Sequence, residues 1–329
     1  MRILVTGGAG YVGATSVEAL LATGHEVVIL DDLSTGHRAA VPSEAAFIEG
    51  SYVDGERVLD LLSEHRIEAV LHCAARSLVG ESIEKPALYH DQNVVGGIAL
   101  LVACRKAGVG RFVFSSTAAV YGAAATTPIE EDAPTRPINP YGETKLLFEA
   151  ALAAAGATGL RSVSLRYFNV AGASTAVGED HRPETHLIPN ILAAAAGAEP
   201  LTIFGDDYGT PDGTAIRDYI HVADLAAAHL AALEATASGD RRTDAPLVCN
   251  LGSAAGFSVL EILNAAQTVV GRPVPHRTGR RRAGDPPVLV ASNARAAEVL
   301  GWHPCHSSLP EMIGSAWAWR QAHPRGYAD

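Results

Sequence analysis

Short, uninterrupted apolar runs alternate with longer stretches of helical period through the first half of the chain. Ile3-Leu4-Val5, Val27-Val28-Ile29-Leu30, Ala69-Val70-Leu71 and Phe112-Val113-Phe114 are apolar at every position. Continuous apolarity, rather than alternation, marks strands of a parallel sheet covered on both faces. Between these runs, residues 16–22, 55–65 and 93–107 predict helices, and residues 162–165 and 247–251 predict further strands. Strand–helix alternation of this kind predicts an α/β fold built on a doubly wound parallel sheet. The second half is richer in Pro, Gly and loop-like sequence, with a solvated loop expected at residues 238–242.

Composition narrows the class. The 329 residues are 48% hydrophobic and 19% charged, which suits about two globular domains and excludes a disordered or coiled-coil chain. A net charge of −11 argues against a nucleic-acid partner. No apolar run reaches the ~20 residues of a membrane-spanning helix. The chain enters a predicted strand at its first residues, so no signal peptide is expected. Cys73, Cys104, Cys249 and Cys305 are scattered and form no CxxC pair, which fits a reducing cytoplasm. The Trp302-His303-Pro304-Cys305-His306 segment fits no standard ligand spacing, and no metal is expected.

Two motifs carry chemistry. Thr6-Gly7-Gly8-Ala9-Gly10-Tyr11-Val12-Gly13 follows the first strand and opens a helix, satisfying G-x-G-x-x-G at Gly8, Gly10 and Gly13. Glycines there let the backbone approach a pyrophosphate, and the helix N-terminus offers free N–H groups to it. Asp31, at the end of the second strand, is placed to accept hydrogen bonds from ribose hydroxyls and to repel a 2′-phosphate, which favours NAD. Residues 1–175 are therefore expected to form an NAD-binding Rossmann domain, with strands near 215–255 returning to it. Residues 176–329 are expected to form most of a smaller C-terminal substrate domain.

The second motif is Asn139-Pro140-Tyr141-Gly142-Glu143-Thr144-Lys145, which reads as a capped helix start. Tyr141 and Lys145 are four apart and share a helix face. A nearby ammonium and an oxidised nicotinamide are expected to lower the phenol pKa, making Tyr141 a base for a sugar hydroxyl. Ser115-Ser116-Thr117, after the strand Phe112-Val113-Phe114, puts a hydroxyl where parallel strands end and ligands bind.

Together these features resemble the extended short-chain dehydrogenase/reductases, and within them the UDP-glucose 4-epimerase family. Matching segments run through the whole chain, among them Asp31-Asp32-Leu33-Ser34, Arg166-Tyr167-Phe168-Asn169, Arg217-Asp218-Tyr219-Ile220-His221-Val222 and Arg281-Arg282-Ala283-Gly284-Asp285. The resemblance implies NAD-dependent inversion at C4 of a UDP-hexose through a transient 4-keto sugar. It implies Thr117, Tyr141 and Lys145 as the catalytic trio. Gly7, Gly10, Tyr11, Val12, Gly13, Asp31, Ser34, Ser51, Ala74, Arg76, Asn93 and Tyr167 would join Tyr141 and Lys145 around NAD. Thr117, Tyr141, Asn169, His186, Leu187, Phe204, Arg217, Arg282, Asp285 and Leu289 would hold the UDP-sugar.

Several positions depart from the family pattern. Gly50-Ser51 stands where many members have Gly-Asp at the adenine, Thr117 where serine is commoner, and His186 where some members carry Asn. Leu289 is intermediate between the bulky residue that restricts the pocket to plain hexoses and the small one that admits N-acetyl sugars. UDP-N-acetylhexosamine, UDP-pentose and UDP-uronate therefore stay open as substrates. A 4,6-dehydratase would need an acid and a base after Thr117, where this chain has Ala118-Ala119. An NAD sensor without chemistry is disfavoured by the intact trio. Helices near residues 91–107 and 143–155 have broad apolar coverage, and the resemblance pairs such helices into a homodimer through a four-helix seam.

Overall fold

The apolar strands of the first half form where their pattern places them. In this computed structural model, residues 1–124, 126–237, 245–282 and 285–328 are described. The loop expected at 238–242 lies outside them, as do Ala283 and Gly284 of the basic segment. β1 (Arg2–Thr6), α1 (Tyr11–Ala22), β2 (Glu26–Asp31), β3 (Ala46–Glu49), α2 (Gly55–Glu64) and β4 (Ala69–His72) come first. Next are α3 (Val79–Glu84), α4 (Pro86–Tyr89), a π-helical turn (His90–Gly96) and α5 (Gly97–Ala107). The centre of the chain holds β5 (Arg111–Thr117), α6 (Pro140–Gly156), β6 (Arg161–Tyr167), β7 (Asn169–Ala171) and α7 (Leu187–Ala195). Then come β8 (Leu201–Phe204), β9 (Ile216–Arg217), β10 (Tyr219–His221), α8 (Val222–Ala235) and β11 (Leu247–Leu251). β12 (Phe257–Ser258), α9 (Val259–Val270), β13 (His276–Gly279), β14 (Val288–Leu289), α10 (Ala294–Leu300) and α11 (Leu309–Ala322) complete it.

Seven parallel strands form the main sheet in the order β3-β2-β1-β4-β5-β6-β11, a Rossmann-like arrangement. Successive residues of β1 serve opposite faces, so Ile3 and Val5 join one core while Leu4 joins the other. The first core packs Val17 and Leu20 of α1 with Leu225 and Leu233 of α8. The second packs Val58 of α2, Leu100 of α5 and Phe148 of α6. This two-sided burial is why the strands read as unbroken apolar runs. A third cluster joins Ile191 and Leu192 of α7, Ile203 of β8, Ile262 of α9 and Ile313 of α11. Three small sheets, β10-β7, β12-β9-β14 and β13-β8, stand apart from the main one.

Two element boundaries differ from the sequence expectation. α1 begins at Tyr11, directly after the glycine turn, rather than at residue 16. The helix expected from residue 93 is π-helical up to Gly96 before α5 takes over.

Two histidines are buried in the cores as neutral rings. His72 of β4 is packed between Tyr52, Phe114 and Phe148, with Nδ1 2.7 Å from the Thr6 hydroxyl. His229 of α8 bridges Ser16 of α1 at 3.0 Å and Ser115 of β5 at 3.1 Å. Burial pushes each pKa down to about 3, with the Lys145 charge adding to the effect at His72. The folded rings thus bind fewer protons than their unfolded counterparts, whose pKa is about 6.5. Stability is present above that value and is lost as the pH falls below it, by about 1.4 kcal/mol per pH unit for each ring. The melting temperature is expected to drop by several degrees between pH 7 and pH 5. His229→Gln is expected to flatten that slope, as read by calorimetry across the range; an unchanged slope would show that the ring is already charged in the native state.

Candidate active site

The C-terminal ends of the central strands gather the residues that the sequence singles out. At the end of β1 the chain turns tightly into α1. Gly7 has φ +71°, and a side chain there would press to 2.6 Å from the Ala74 nitrogen after β4. A side chain at Gly13 would lie 2.0 Å from the Gly7 carbonyl, so only glycine closes this turn. At Gly10 the added carbon would meet only the Gly7 carbonyl, at 3.4 Å, which leaves that side of the turn open. Gly10 caps α1 without a side-chain acceptor. The first N–H groups of α1 therefore point at an open cradle, which suits a pyrophosphate.

Asp31 ends β2 beside this turn and is buried. One carboxylate oxygen accepts the Ala9 N–H at 3.0 Å and the other the Leu33 N–H at 2.9 Å. Burial nevertheless raises its pKa, the backbone donors offsetting part of the effect. Both oxygens retain lone pairs for ribose hydroxyls. Ser34 is exposed nearby. Val12 lies in the first turn of α1, whereas the Tyr11 side chain turns inward, its hydroxyl donating to the Gly172 carbonyl at 2.6 Å. Asp54 caps α2 through the Arg57 N–H, so it is not the acid missing at Ser51.

Asn93 differs from its expected part. Its carboxamide accepts the Arg76 N–H at 2.8 Å and donates to the Arg76 carbonyl at 2.9 Å and to Thr144 at 3.1 Å. The amide is taken up by the fold, so Asn93 reaches the site through the backbone it fixes at Arg76.

α6 delivers the tyrosine–lysine pair. The Asn139 side chain accepts the Gly142 N–H at 2.9 Å, and Pro140 opens the helix, as its sequence predicts. A side chain at Gly142 would lie 2.5 Å from the Ala119 carbonyl, so this glycine lets α6 start directly against the end of β5. Tyr141 is thereby set beside Thr117. Lys145 is almost fully buried; its ammonium donates to the Ser115 carbonyl at 2.8 Å and lies 5.9 Å from the centre of the Tyr141 ring. Burial lowers its pKa to about 8, with Cys73 and Glu149 acting the other way.

The expected acid phenol is not what the polypeptide alone provides. Burial pushes the Tyr141 pKa up to about 12, and the Thr117 hydroxyl lowers it only in part. The reason is geometric: the Lys145 ammonium is directed at the Ser115 carbonyl rather than at the phenol oxygen.

The sequence reading missed what holds α6 in place. Glu149 lies one turn beyond Lys145, and the Arg166 guanidinium of β6 grips both of its oxygens, at 3.0 and 2.6 Å. Ser116 of β5 donates to the same carboxylate at 2.5 Å. Arg166 also donates to Tyr121 at 2.9 Å, and Tyr121 to Asn250 at 2.7 Å. The signal was the spacing: Tyr141, Lys145 and Glu149 recur every four residues on one helix face.

A second group sits over β9 and β14. Arg217 is paired with Asp285 and donates to the Pro286 carbonyl at 2.8 Å, while Leu289 lies opposite Arg217 in register. Phe204 is 40% exposed, and the Arg282 guanidinium stacks over it at 4.2 Å. Arg281 turns instead to Asp207 and Tyr208. The Asn169 amide donates to the Asp218 carbonyl at 2.8 Å. Asp218, fully buried, accepts N–H bonds from Ser253, Ala254 and Ala291 and ties these loops together. His186 caps α7 at Leu187, with Nδ1 2.6 Å from Glu179. Tyr167 ends β6 opposite Thr117.

Comparison with known proteins agrees with this geometry. Residues 3–252 match the model of the NAD dependent epimerase/dehydratase family. A UDP-glucose 4-epimerase of Lactobacillus helveticus is 50% identical over all of both chains. A crystal structure of a UDP-glucose 4-epimerase superposes with a TM-score of 0.96 at 46% identity, covering both chains completely. The UDP-glucose 4-epimerase of Brucella ovis, solved in complex with NAD, gives 0.92 at 45% identity over 96% of this chain and 97% of that one. With an open glycine cradle, a buried acid at the end of β2 and a tyrosine–lysine helix against β5, the chain belongs to the NAD dependent epimerase/dehydratase family.

Proposed function

We propose that this protein is an NAD-dependent UDP-sugar 4-epimerase that interconverts UDP-glucose and UDP-galactose. The observation that carries the reading is the convergence of Thr117, Tyr141 and Lys145 on the strand ends beside the glycine cradle. When bound, NAD supplies positive charge beside Tyr141 and an acceptor for the hydrogen on C4. The open turn at Gly10, the first N–H groups of α1 and the Asp31 carboxylate would hold its pyrophosphate and ribose. Ser34, Ser51, Ala74 and Tyr167 would complete the cofactor site, and Asn93 acts as a positioning residue through Arg76.

Tyr141 takes the 4-hydroxyl proton, directly or relayed by Thr117, and returns it after the 4-keto sugar has turned over. Lys145 remains largely protonated below pH 8 and holds positive charge against the Tyr141 ring. Arg217 and Arg282 suit the two phosphates, since guanidinium forks match phosphate oxygens. Phe204 offers an exposed face to the base. With Asn169, His186, Leu187 and Asp285 these residues clamp the nucleotide, so that the sugar alone is free to rotate. Leu289 lies opposite Arg217, and the bulk it presents decides whether an N-acetyl group is admitted.

The working form is a homodimer. Ile83, Val95, Ile98, Val102 and Leu147 are 64%, 61%, 43%, 37% and 42% exposed along α3, the π-helical turn, α5 and α6. An apolar strip of that kind suits a second copy, pairing α5 and α6 across a four-helix seam. Among the described residues no helix is long and apolar enough to cross a membrane. With the scattered free cysteines, this favours a cytoplasmic enzyme.

Three outcomes check these assignments. Purified protein incubated with UDP-galactose and no added reductant is expected to yield UDP-glucose, and Tyr141→Phe to lower turnover by about 10²–10⁴-fold; wild-type turnover in that variant would remove Tyr141 from the chemistry. Glu149→Gln, which strands the buried Arg166, is expected to cost about 3–5 kcal/mol of stability in denaturant melts and to lower kcat more than it raises KM. Val102→Glu together with Ile98→Glu is expected to shift the dimer to monomer in light scattering; a variant that stays dimeric would place the interface elsewhere.

A further inference from the structure

Between β7 and α7 the chain carries Glu179, His181, Glu184 and His186 within eight residues. One donor atom from each lies within 4.8 Å of all the others. The His181 Nδ1 is 3.3 Å from Glu179 and 3.7 Å from Glu184, and the His186 Nδ1 is 2.6 Å from Glu179 and 3.4 Å from Glu184. Four nitrogen and oxygen ligands on a tetrahedral ion, with bonds of ~2.0–2.1 Å, stand about 3.3 Å apart. Three of the separations lie near that value and the His186–Glu179 contact is shorter, with Glu184 turning one oxygen to each histidine, so an ion is reached by side-chain rotation about donors that already converge.

One atom in this group lacks what the fold otherwise provides. The His181 Nδ1 is buried and makes no well-aligned hydrogen bond, facing instead two carboxylates, Glu179 at 3.3 Å and Glu184 at 3.7 Å. A nitrogen in that setting is satisfied by a proton shared with a carboxylate or by a cation. The surrounding chain is already braced. A Glu184 oxygen accepts the Thr185 and His186 N–H groups at 2.7 Å each, which orients the carboxylate. Asp180, between two of the ligands, accepts the Tyr327 N–H at 3.0 Å and the Arg182 guanidinium at 3.1 Å. His186 is exposed, giving an ion a route in from solvent.

We propose that Glu179, His181, Glu184 and His186 form a tetrahedral site for a first-row divalent cation, with zinc the best match. Two carboxylates and two neutral imidazoles balance the charge of such an ion, and nitrogen and oxygen donors suit it. The role is structural. Held through the His186 Nδ1, the ion ties the segment after β7 to the start of α7, fixes Leu187, which follows the last ligand directly, and leaves the His186 Nε2 to the nucleotide. The sequence alone hid the site, because the ligand spacings of two, three and two residues match no standard signature.

The test uses the full-length protein, stripped with EDTA, reloaded with Zn²⁺ and freed of excess by gel filtration. The wild type is expected to retain one zinc per chain by mass spectrometry and to melt higher than the stripped protein. His181→Asn and Glu184→Gln are each expected to weaken zinc binding at least tenfold in a chelator competition, and Cys305→Ser to leave it unchanged. Cobalt in place of zinc is expected to give the intense visible absorption of a tetrahedral site, a readout that needs no variant to fold. A wild type that retains no zinc and shows no such absorption, or variants that retain it equally, would overturn the proposal and leave protons as the occupants of the cluster. Epimerase assays on the stripped protein run beside these, so failure of the metal site and failure of the functional reading are read separately.

Discussion

The Glu149 carboxylate is held between α6, β5 and β6 with Arg166 on one side and Ser116 on the other. A buried carboxylate is tolerated only when its charge is matched and its oxygens are occupied, and here both conditions depend on one rotation of α6. That rotation also places Lys145, one turn earlier, under the Ser115 carbonyl and Tyr141, two turns earlier, beside Thr117. Helix spacing thus converts one buried ion pair into the placement of the two groups to which the chemistry is assigned in the proposed function. Arg166 extends the lock through Tyr121 to Asn250 on β11, so the edge of the sheet is drawn into the same network.

Burial cuts in two directions at this site. It lowers the Lys145 pKa to about 8 and raises that of Tyr141 to about 12, since each loses water around its charged form. The phenol is therefore a poor base in the polypeptide alone, and the proposed role of Tyr141 requires extra positive charge beside it. That coupling suits a reaction in which hydrogen must not leave C4 unless the cofactor is seated. The residues proposed to hold the UDP-sugar, Arg217, Arg282 and Phe204, belong to the small sheets and loops rather than to the main sheet.

Much of the main sheet was legible because its physics is local. Unbroken apolar runs marked strands buried on both faces, and Asn139-Pro140 marked the start of α6 through its cap and its fixed φ. The glycine turn was legible because no other residue fits between Gly7 and Ala74. Three features were not legible, all set by contacts far apart in sequence. Asn93, expected at the cofactor, has its amide engaged by Arg76 and Thr144. Glu149 drew no reading from the sequence, because Arg166, which pairs with it, lies on a different element. The Tyr141–Lys145 spacing implies an acidified phenol, yet the ammonium is aimed elsewhere, at a carbonyl of β5 that only the fold brings close.

In the proposed mechanism, charge brought by bound NAD would convert Tyr141 from an inert buried phenol into a base. Ultraviolet difference titration of the phenolate measures this directly, comparing stripped with NAD-loaded protein and subtracting Tyr141→Phe treated in the same way. No Tyr141 phenolate is expected below about pH 10 in the stripped protein, and its appearance is expected between about pH 7 and 9 once NAD is bound. Ionisation at the same pH in both forms would contradict it.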